Sequence, residues 1–335
     1  MAAGEFWILA LSGGGARGLF TASILAEMET AVGEPLANHF DLIAGTSVGG
    51  ILALGVANEI STTKLLGIFE HAQEIFERCN CWIPWPLFHS QYRNRRLKTL
   101  LEEQFGTTRI GNLKHRVMIP SVNFTKGAPS FFKTPHHPRL HLDERHLLVD
   151  VAMATAAAPT YFPIYHFNNQ HYVDGGLVAN APGLTAVHEA IHFVGHLDVK
   201  TIHVVSVGTA AGGTAMDPGI NPDMGILTTT KRRRFWPAKG WGMRIFDLTI
   251  NSQEAMSNSI LGHWLQDRHH LIDAAPHPEQ TDYLRLDDVS VEAQRTLRGQ
   301  AAVAIQKHLS CDLIEQIRNH HPLPPSFFHG PNKNT

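Results

Sequence analysis

The chain has 335 residues, with 28 lysines and arginines against 30 aspartates and glutamates, and a formal net charge of −2. Hydrophobic residues make up 43% and charged residues 17%, a balance that favours a globular protein and excludes a disordered or fibrous one. The near-neutral charge gives no general attraction to polyanions, so we expect neither DNA nor RNA as a partner. Three cysteines without CxxC or Cys/His spacing predict no disulfide framework and no metal site, and no cofactor is expected.

The most apolar stretches near the N-terminus do not predict a membrane span. Residues 6–11 lack a basic flank and a small-residue cleavage site, which favours a strand over a signal peptide. Residues 43–57 are fewer than the about 20 that a spanning helix needs, and Thr46, Ser47 and several glycines interrupt them. Contact with a membrane is therefore expected to be peripheral.

Apolar runs alternate with helix-period segments in the first half of the chain, which predicts an α/β fold with a mostly parallel, buried sheet. Strands are expected at 6–11, 40–44, 117–122, 171–173, 201–207 and 283–286. Helices are expected where apolar residues recur every three or four positions, at 20–32, 51–57, 65–76, 97–105, 149–158 and 291–308, the last opened by Ser290.

Composition divides the chain into four parts. We predict a core domain over 5–210 and a loop or linker over 211–240, where Gly, Pro, Thr and basic residues accumulate. A mainly helical C-terminal extension packed on the core is expected over 241–322, followed by a tail over 323–335.

Residues 45–49 read GTSVG and fit the G-x-S-x-G nucleophile elbow, since an apolar strand precedes Ser47 and a helical run follows it. Glycine is needed at Gly45 and Gly49, because a side chain at either position would collide with neighbouring elements in so sharp a turn. The alternative is a tight turn without catalytic meaning.

Residues 13–18 read GGGARG, follow a strand and open a helix, so their backbone amides point towards a common spot and favour an anion. In acyl transfer that anion is the tetrahedral oxyanion. The candidate oxyanion-hole residues are Gly13, Gly14, Gly15, Arg17 and Gly18.

The same glycines also satisfy the G-x-G-x-x-G fingerprint of dinucleotide sites. That fingerprint requires an acidic residue at the end of the second strand, whereas Asp41 precedes that strand here. For Arg17 three roles stay open: support of the loop, contact with a substrate phosphate, or a solvated surface position.

Asp174, Gly175 and Gly176 follow a short strand. The two glycines would let another backbone approach the carboxylate closely, but the motif alone favours a plain hairpin turn.

The three motifs in this order, with the segment AAAPTYFP at 156–163, resemble the patatin-like phospholipase family over about residues 6–209. The resemblance implies a three-layer patatin-like α/β fold and hydrolysis of phospholipid acyl esters. It also implies that Ser47 is the nucleophile, that Asp174 is its base, and that the loop at Gly14 and Gly15 holds the oxyanion without a third triad member.

A Ser-His-Asp triad is the main alternative, with His188 or His203 as the histidine, because α/β-hydrolases have this chain order. A catalytically degenerate protein whose glycine loop binds a nucleotide is another. The aromatic segment 79–92 is open between a lid that reaches the membrane and a loop packed on the core.

Residues 6–55 also resemble a bacterial branch of the family, the phospholipase effectors of cyclic-oligonucleotide (CBASS) antiphage signalling. This resemblance implies a cyclic dinucleotide activator bound at a second site, and action on membrane phospholipids from the cytoplasm at the inner face of the membrane. A homodimer is considered as well. The basic and aromatic segment 231–236, with Arg232, Arg233 and Arg234, is a candidate nucleotide contact or a solvated loop.

Overall fold

The structure is a computed structural model that describes residues 4–77, 89–195, 197–211, 241–277 and 284–334, without the side chains of 241–244. Its centre is one eight-stranded sheet with helices on both faces. Side chains alternate along the first strand, so that Trp7, Leu9 and Leu11 enter the larger core on one face. Phe6, Ile8 and Ala10 enter a second core on the other face, which gives three layers.

The strands follow one another across the sheet in the order β5-β6-β3-β2-β1-β7-β8, with β4 paired to β3. Their bounds are β1 Phe6–Leu11, β2 Leu42–Gly45, β3 Val117–Asn123, β4 Ala128–Lys133, β5 Tyr165–Phe167, β6 Gln170–Asp174, β7 Ile202–Val207 and β8 His269–Ile272. The path from β3 through β2, β1 and β7 to β8 is parallel, whereas β4, β5 and β6 pair antiparallel. The predicted α/β class with a mostly parallel sheet is confirmed.

The α-helices in the described ranges are α1 Gly18–Val32, α2 Val48–Ala57, α3 Thr62–Gly67, α4 Ala72–Ile75, α5 Arg95–Phe105, α6 Leu148–Thr155, α7 Gly176–Ala179, α8 Gly183–Glu189, α9 Trp241–Leu265, α10 Val291–His308 and α11 Cys311–Asn319. Helix α10 begins where predicted, because the Ser290 hydroxyl accepts a hydrogen bond from the Ala293 amide. None of these helices combines the length and the hydropathy that crossing a bilayer requires.

Three sequence expectations differ from the structure. The helix expected over 65–76 is divided into α3 and α4 by a short 3₁₀ turn, Ile68–His71. No strand forms over 284–286, the described part of the strand predicted at 283–286. The strand after β7 is instead β8, which joins the parallel sheet, so the C-terminal region supplies sheet as well as helices.

Residues 323–334, expected to be a tail, are bonded to the core. The Arg116 guanidinium donates to the Leu323 and Pro324 carbonyls at 3.1 and 3.2 Å, and the Leu323 amide donates to Asp41 Oδ1 at 2.7 Å. The expected linker, apart from Ala211, and most of the aromatic segment 79–92 lie outside the described residues. The domain boundaries stay a prediction.

Candidate active site

The site forms where β1 and β2 end. Leu11 pairs with Gly45 at the ends of these parallel strands, so the loop after β1 and the turn after β2 lie side by side. Strand β6 runs antiparallel to β3 and pairs its last residue, Asp174, with Ser121. Because β3 extends beyond the end of β2 and β6 pairs only with 121–123 of β3, this carboxylate lies level with the turn that carries Ser47.

Ser47 occupies the sharp turn between β2 and α2, with φ 55° and ψ −126°. A non-glycine residue with this backbone costs about 1–3 kcal/mol and persists only where neighbours hold it. Thr155 does so, since its hydroxyl accepts from the Ser47 amide at 2.9 Å and donates to the Pro120 carbonyl at 2.6 Å. The sequence motif gave no signal for Thr155.

The glycines on either side of Ser47 are required by contact. A Cβ added to Gly45 would lie 2.1 Å from the Gly49 carbonyl oxygen, and one added to Gly49 would lie 2.4 Å from the Leu11 carbonyl oxygen. Both obstacles are backbone atoms, which cannot rotate away as a side chain can.

Asp174 is the hydrogen-bond partner of Ser47. Its Oδ2 accepts from the Ser47 hydroxyl at 2.7 Å, and its Oδ1 accepts from the Gly176 amide at 2.7 Å. The carboxyl is only 1% exposed. Burial raises the pKa of Asp174 to about 7, although the bonds from Ser47 and Gly176 oppose the shift. A carboxylate with a pKa near neutrality is a better proton acceptor than an ordinary aspartate.

The DGG motif therefore does more than turn the chain. A Cβ on Gly175 would lie 2.3 Å from the Pro120 carbonyl oxygen, so the close backbone approach expected at this motif is present. The Gly176 amide holds the carboxylate, and α7 begins at the same residue.

Three of the five candidate residues in the glycine loop have backbone amides that already donate hydrogen bonds, so they are not free to bind an anion. The Gly13 amide donates to the Asn180 carbonyl, the Arg17 amide to the Gly14 carbonyl, and the Gly18 amide to carbonyls of its own turn. Gly14 and Gly15 line the cavity next to Ser47, and their amides have no acceptor among the described residues. Of the five candidate residues, Gly14 and Gly15 are thus the ones whose amides are free to bind an oxyanion in the described structure.

The glycines of the loop are also explained by packing within the protein. A Cβ on Gly14 would meet the Thr209 side chain at 2.7 Å, and one on Gly15 would meet the Leu286 carbonyl oxygen at 2.3 Å. Asp41 accepts from the Trp7 and Leu323 amides, so it is bound within the structure and not available to a ribose. These contacts disfavour the dinucleotide alternative.

Arg17 is buried, which corrects the surface alternative. It is 4% exposed, and its Nε and Nη2 have no hydrogen-bond partner in the described structure. Burial lowers the pKa of the Arg17 guanidinium, and the nearby carboxylates of Glu254 and Asp273 oppose that shift. Arg17 thus interacts with the acidic side chains of Glu254, Asp247 and Asp273 and does not line the cavity.

Asn180 was not predicted, yet it ties the loop to α9. Its side-chain amide donates to the Gly13 carbonyl at 3.3 Å and to Glu254 Oε2 at 3.1 Å. Burial is the main cause that raises the pKa of Glu254 to about 7. In the sequence, this role of Asn180 was indicated by its position directly after the helix that follows the DGG motif.

The cavity beside Ser47 is walled by apolar side chains and has about 80 Å³ of free volume. The wall comes from α2, the α3–α4 region, residues 156–162 and α9. Representative lining residues are Ile51, Phe69, Phe76, Phe162, Phe246 and Ile250. An apolar cavity that ends at a serine hydroxyl suits the acyl chain of an ester.

No histidine lines this cavity in the described structure. His188 is exposed on α8 and contacts His192. His203 pairs with Trp7, which lies four residues before the end of β1. At the rise of a β-strand, His203 is therefore about 13 Å from the end of the sheet that carries Ser47. The Ser-His-Asp alternative is therefore not supported. Nor does any group of three or more His, Cys, Asp or Glu side chains suited to a metal ion occur in the described ranges. Arg232, Arg233 and Arg234 lie outside them.

An α/β sheet with a G-x-S-x-G serine between a strand and a helix is the arrangement of serine hydrolases. The sequence profile "Patatin-like phospholipase" matches residues 9–187. The chain belongs to the patatin-like phospholipase family, as the motifs predicted, and is a lipid hydrolase.

Three relatives each carry the name "cGAMP-activated phospholipase". The protein from Pseudomonas aeruginosa is 42% identical, over 98% of this chain and 96% of its own length. The protein from Vibrio cholerae is 40% identical, over 63% of this chain and 66% of its own length. The protein from Escherichia coli is 34% identical, over 84% and 80% respectively.

Proposed function

We propose that this lipid hydrolase cleaves acyl esters of membrane phospholipids with Ser47 as nucleophile and Asp174 as general base. The observation that carries the proposal is the 2.7 Å hydrogen bond from the Ser47 hydroxyl to the Asp174 carboxylate, at the end of an apolar cavity. Membership of the patatin-like phospholipase family supports the substrate class.

In the first half-reaction, Asp174 takes the proton of the Ser47 hydroxyl while Oγ attacks the acyl carbonyl carbon. The resulting oxyanion accepts hydrogen bonds from the Gly14 and Gly15 amides, each worth about 3–4 kcal/mol of barrier. The bond from the carbonyl carbon to the glycerol oxygen then breaks, and Asp174 returns the proton to that oxygen. A lysophospholipid leaves, and the acyl group remains on Ser47.

In the second half-reaction, Asp174 takes a proton from water as its oxygen attacks the acyl carbonyl carbon. Collapse of the second tetrahedral intermediate breaks the bond to Oγ, and the proton held by Asp174 returns to Ser47. The fatty acid leaves. A single carboxylate thus serves as base and acid in both steps.

A cyclic dinucleotide is proposed to activate this reaction, as the names of the three relatives suggest. The cavity beside Ser47 supports a resting state, because about 80 Å³ is well below the ~300–1,000 Å³ of ordinary small-molecule sites. A fatty acyl chain enters only after the wall moves. In a bacterial cell, activation would degrade the inner face of the cell's own membrane in antiphage defence, from the cytoplasm. Arg232, Arg233 and Arg234 remain predicted nucleotide contacts.

The test measures fatty acid release from phospholipid vesicles with cGAMP, with the linear dinucleotide of the same bases, and without nucleotide. We expect release by the wild type with cGAMP only, and none by Ser47→Ala under any condition. Release that is equal with and without cGAMP would remove the activation. Release by Ser47→Ala would remove the assigned nucleophile.

A further inference from the structure

Between 245 and 265, one face of α9 is exposed and carries no Asp, Glu, Lys or Arg. The residues along this face between 245 and 265 are Ile245, Leu248, Ser252, Ala255, Met256, Ser259, Gly262 and His263, while Trp264 is exposed on the flank of the helix. We call this set the exposed face of α9. Met256 is 57% and Trp264 55% exposed. The acidic residues in this range, Asp247 and Glu254, are half-buried and buried, and both interact with Arg17.

Helix α10 shows how unusual this pattern is within the same molecule. Its exposed residues include Glu292, Arg295, Arg298 and Lys307, as expected of a helix whose outer face meets water. Over 245–265, helix α9 differs from this, because Asp247 and Glu254 face the protein whereas Ile245, Leu248 and Met256 are exposed. An exposed apolar surface of this kind marks an interaction site.

The inner face of α9 belongs to the candidate active site. Phe246 and Ile250 line the cavity beside Ser47, and Glu254 binds Asn180 next to the glycine loop. Ile245 and Leu248, on the exposed face, belong to the same two turns as Phe246 and Ile250. The wall of the acyl cavity and the exposed apolar residues are therefore two sides of one helix.

A neutral lipid bilayer fits the exposed face better than other partners. From Ile245 to His263 the face is about 27 Å long, so it can lie along a membrane surface as interfacial helices do. Trp264, on the flank of the helix near the end of this face, suits the interface between headgroups and acyl chains, which tryptophan favours. Since the face carries no Asp, Glu, Lys or Arg, it pays no penalty for burying a charge and gains nothing from anionic headgroups.

We propose that α9 docks the protein on the bilayer, with its exposed face in the headgroup layer and its inner face against the acyl cavity. This inference rests on the proposed phospholipase function, because it is the lipid substrate that makes a bilayer the partner.

Binding to phosphatidylcholine vesicles by co-sedimentation, with cGAMP present, tests the docking surface. All proteins carry Ser47→Ala so that the lipid stays intact. Met256→Asp and Leu248→Ser should each weaken vesicle binding, the first at least about tenfold because a charge enters the interface. Val303→Asp is the matched control, since Val303 is also 57% exposed on a helix and receives the same charge. It should bind as the parent does.

Two further measurements report on the bilayer itself. Phospholipid with brominated acyl chains should quench tryptophan fluorescence of the parent protein, and Trp264→Phe should lose part of that quenching. Binding should be equal at low and high salt and should not increase when phosphatidylglycerol is added, because no charge attraction contributes. Binding that requires anionic lipid would overturn the proposal.

Turnover of a water-soluble nitrophenyl ester, measured with Ser47 restored and cGAMP present, separates this proposal from the proposed function. Weaker vesicle binding with unchanged ester turnover and thermal midpoint supports docking through α9. Equal vesicle binding by Met256→Asp and the parent overturns the proposal. It is also overturned if Met256→Asp converts a dimer to a monomer without weakening vesicle binding, because the face would then bind a second copy of the chain. Leu248→Ser adds no charge and carries the test if Met256→Asp does not fold. Absence of ester turnover in the wild type would instead refute the phospholipase.

Discussion

Two buried carboxyl groups near the glycine loop, Asp174 and Glu254, each have a pKa raised to about 7 by burial. Only the ionised form of Asp174 can accept the Ser47 proton. We therefore predict that kcat/KM for a soluble ester falls about tenfold per pH unit below pH 7 and is level above it. Glu254→Gln retains an oxygen acceptor for Asn180 and should therefore keep the inflection of the pH profile near 7. A flat profile in that variant would assign the inflection to Glu254 instead of Asp174.

The raised pKa of Asp174 also makes the free energy of unfolding depend on pH. Between pH 3.8 and about 7 the folded protein holds a proton on Asp174 that the unfolded chain has released. The free energy of unfolding should therefore decrease as the pH rises through this range, and Asp174→Asn should reduce that decrease. Urea unfolding at several pH values measures it. An Asp174→Asn protein with the same pH dependence as the wild type would contradict the assigned pKa.

At the scale of single elements, the strand-turn-helix unit of β2 and α2 depends on having no side chain at Gly45. Gly45→Ala places a Cβ 2.1 Å from a backbone oxygen, so we predict a loss of about 3 kcal/mol or more of unfolding free energy, together with ester turnover. Gly67→Ala is the control. Gly67 has helical φ −60° and nothing within 4 Å of an added Cβ, so it should stabilise by about 0.4–1 kcal/mol. Equal stability of the two variants would refute this account of the turn.

At the scale of the whole molecule, residues 323–334 stabilise the end of the sheet that lies opposite the active site. Removal of 323–335 leaves the Arg116 guanidinium, 6% exposed in the full chain, without the Leu323 and Pro324 carbonyls, and takes the Leu323 amide from Asp41. Bonds to buried charged groups contribute about 1.5–3 kcal/mol each, so the truncated chain should be less stable by about 3 kcal/mol or more. Arg116→Met should cost less in the truncated chain than in the full one. A truncated chain with an unchanged urea midpoint would contradict this role.

Local patterns allowed much of the fold and of the candidate site to be predicted. β1 and α10 have the predicted bounds, since an apolar run and a serine cap are properties of the neighbouring residues alone. Ser47 and Asp174 lie in motifs that also shape the backbone, so their placement was accessible. The fold class and the family were confirmed.

The missed features depend on contacts between distant segments. Strand β8, with the sequence HHLI, has no alternation of apolar residues and becomes a strand because β7 offers an open edge. Thr155, Asn180 and Glu254 are ordinary residues in the sequence, and only the fold brings them to the elbow and the loop. Arginine is usually exposed, so the burial of Arg17 had no local signal.

The most direct test of the central claim is covalent trapping of the nucleophile. With cGAMP present, the Ser47 hydroxyl should displace fluoride from a fluorophosphonate, and intact-mass and peptide mass spectrometry should find one phosphonyl group on the peptide that contains Ser47. Asp174→Asn should slow labelling by about 10²–10⁴-fold while its circular dichroism stays that of the wild type. A label on another residue, or equal labelling rates in Asp174→Asn and the wild type, would contradict the proposed dyad.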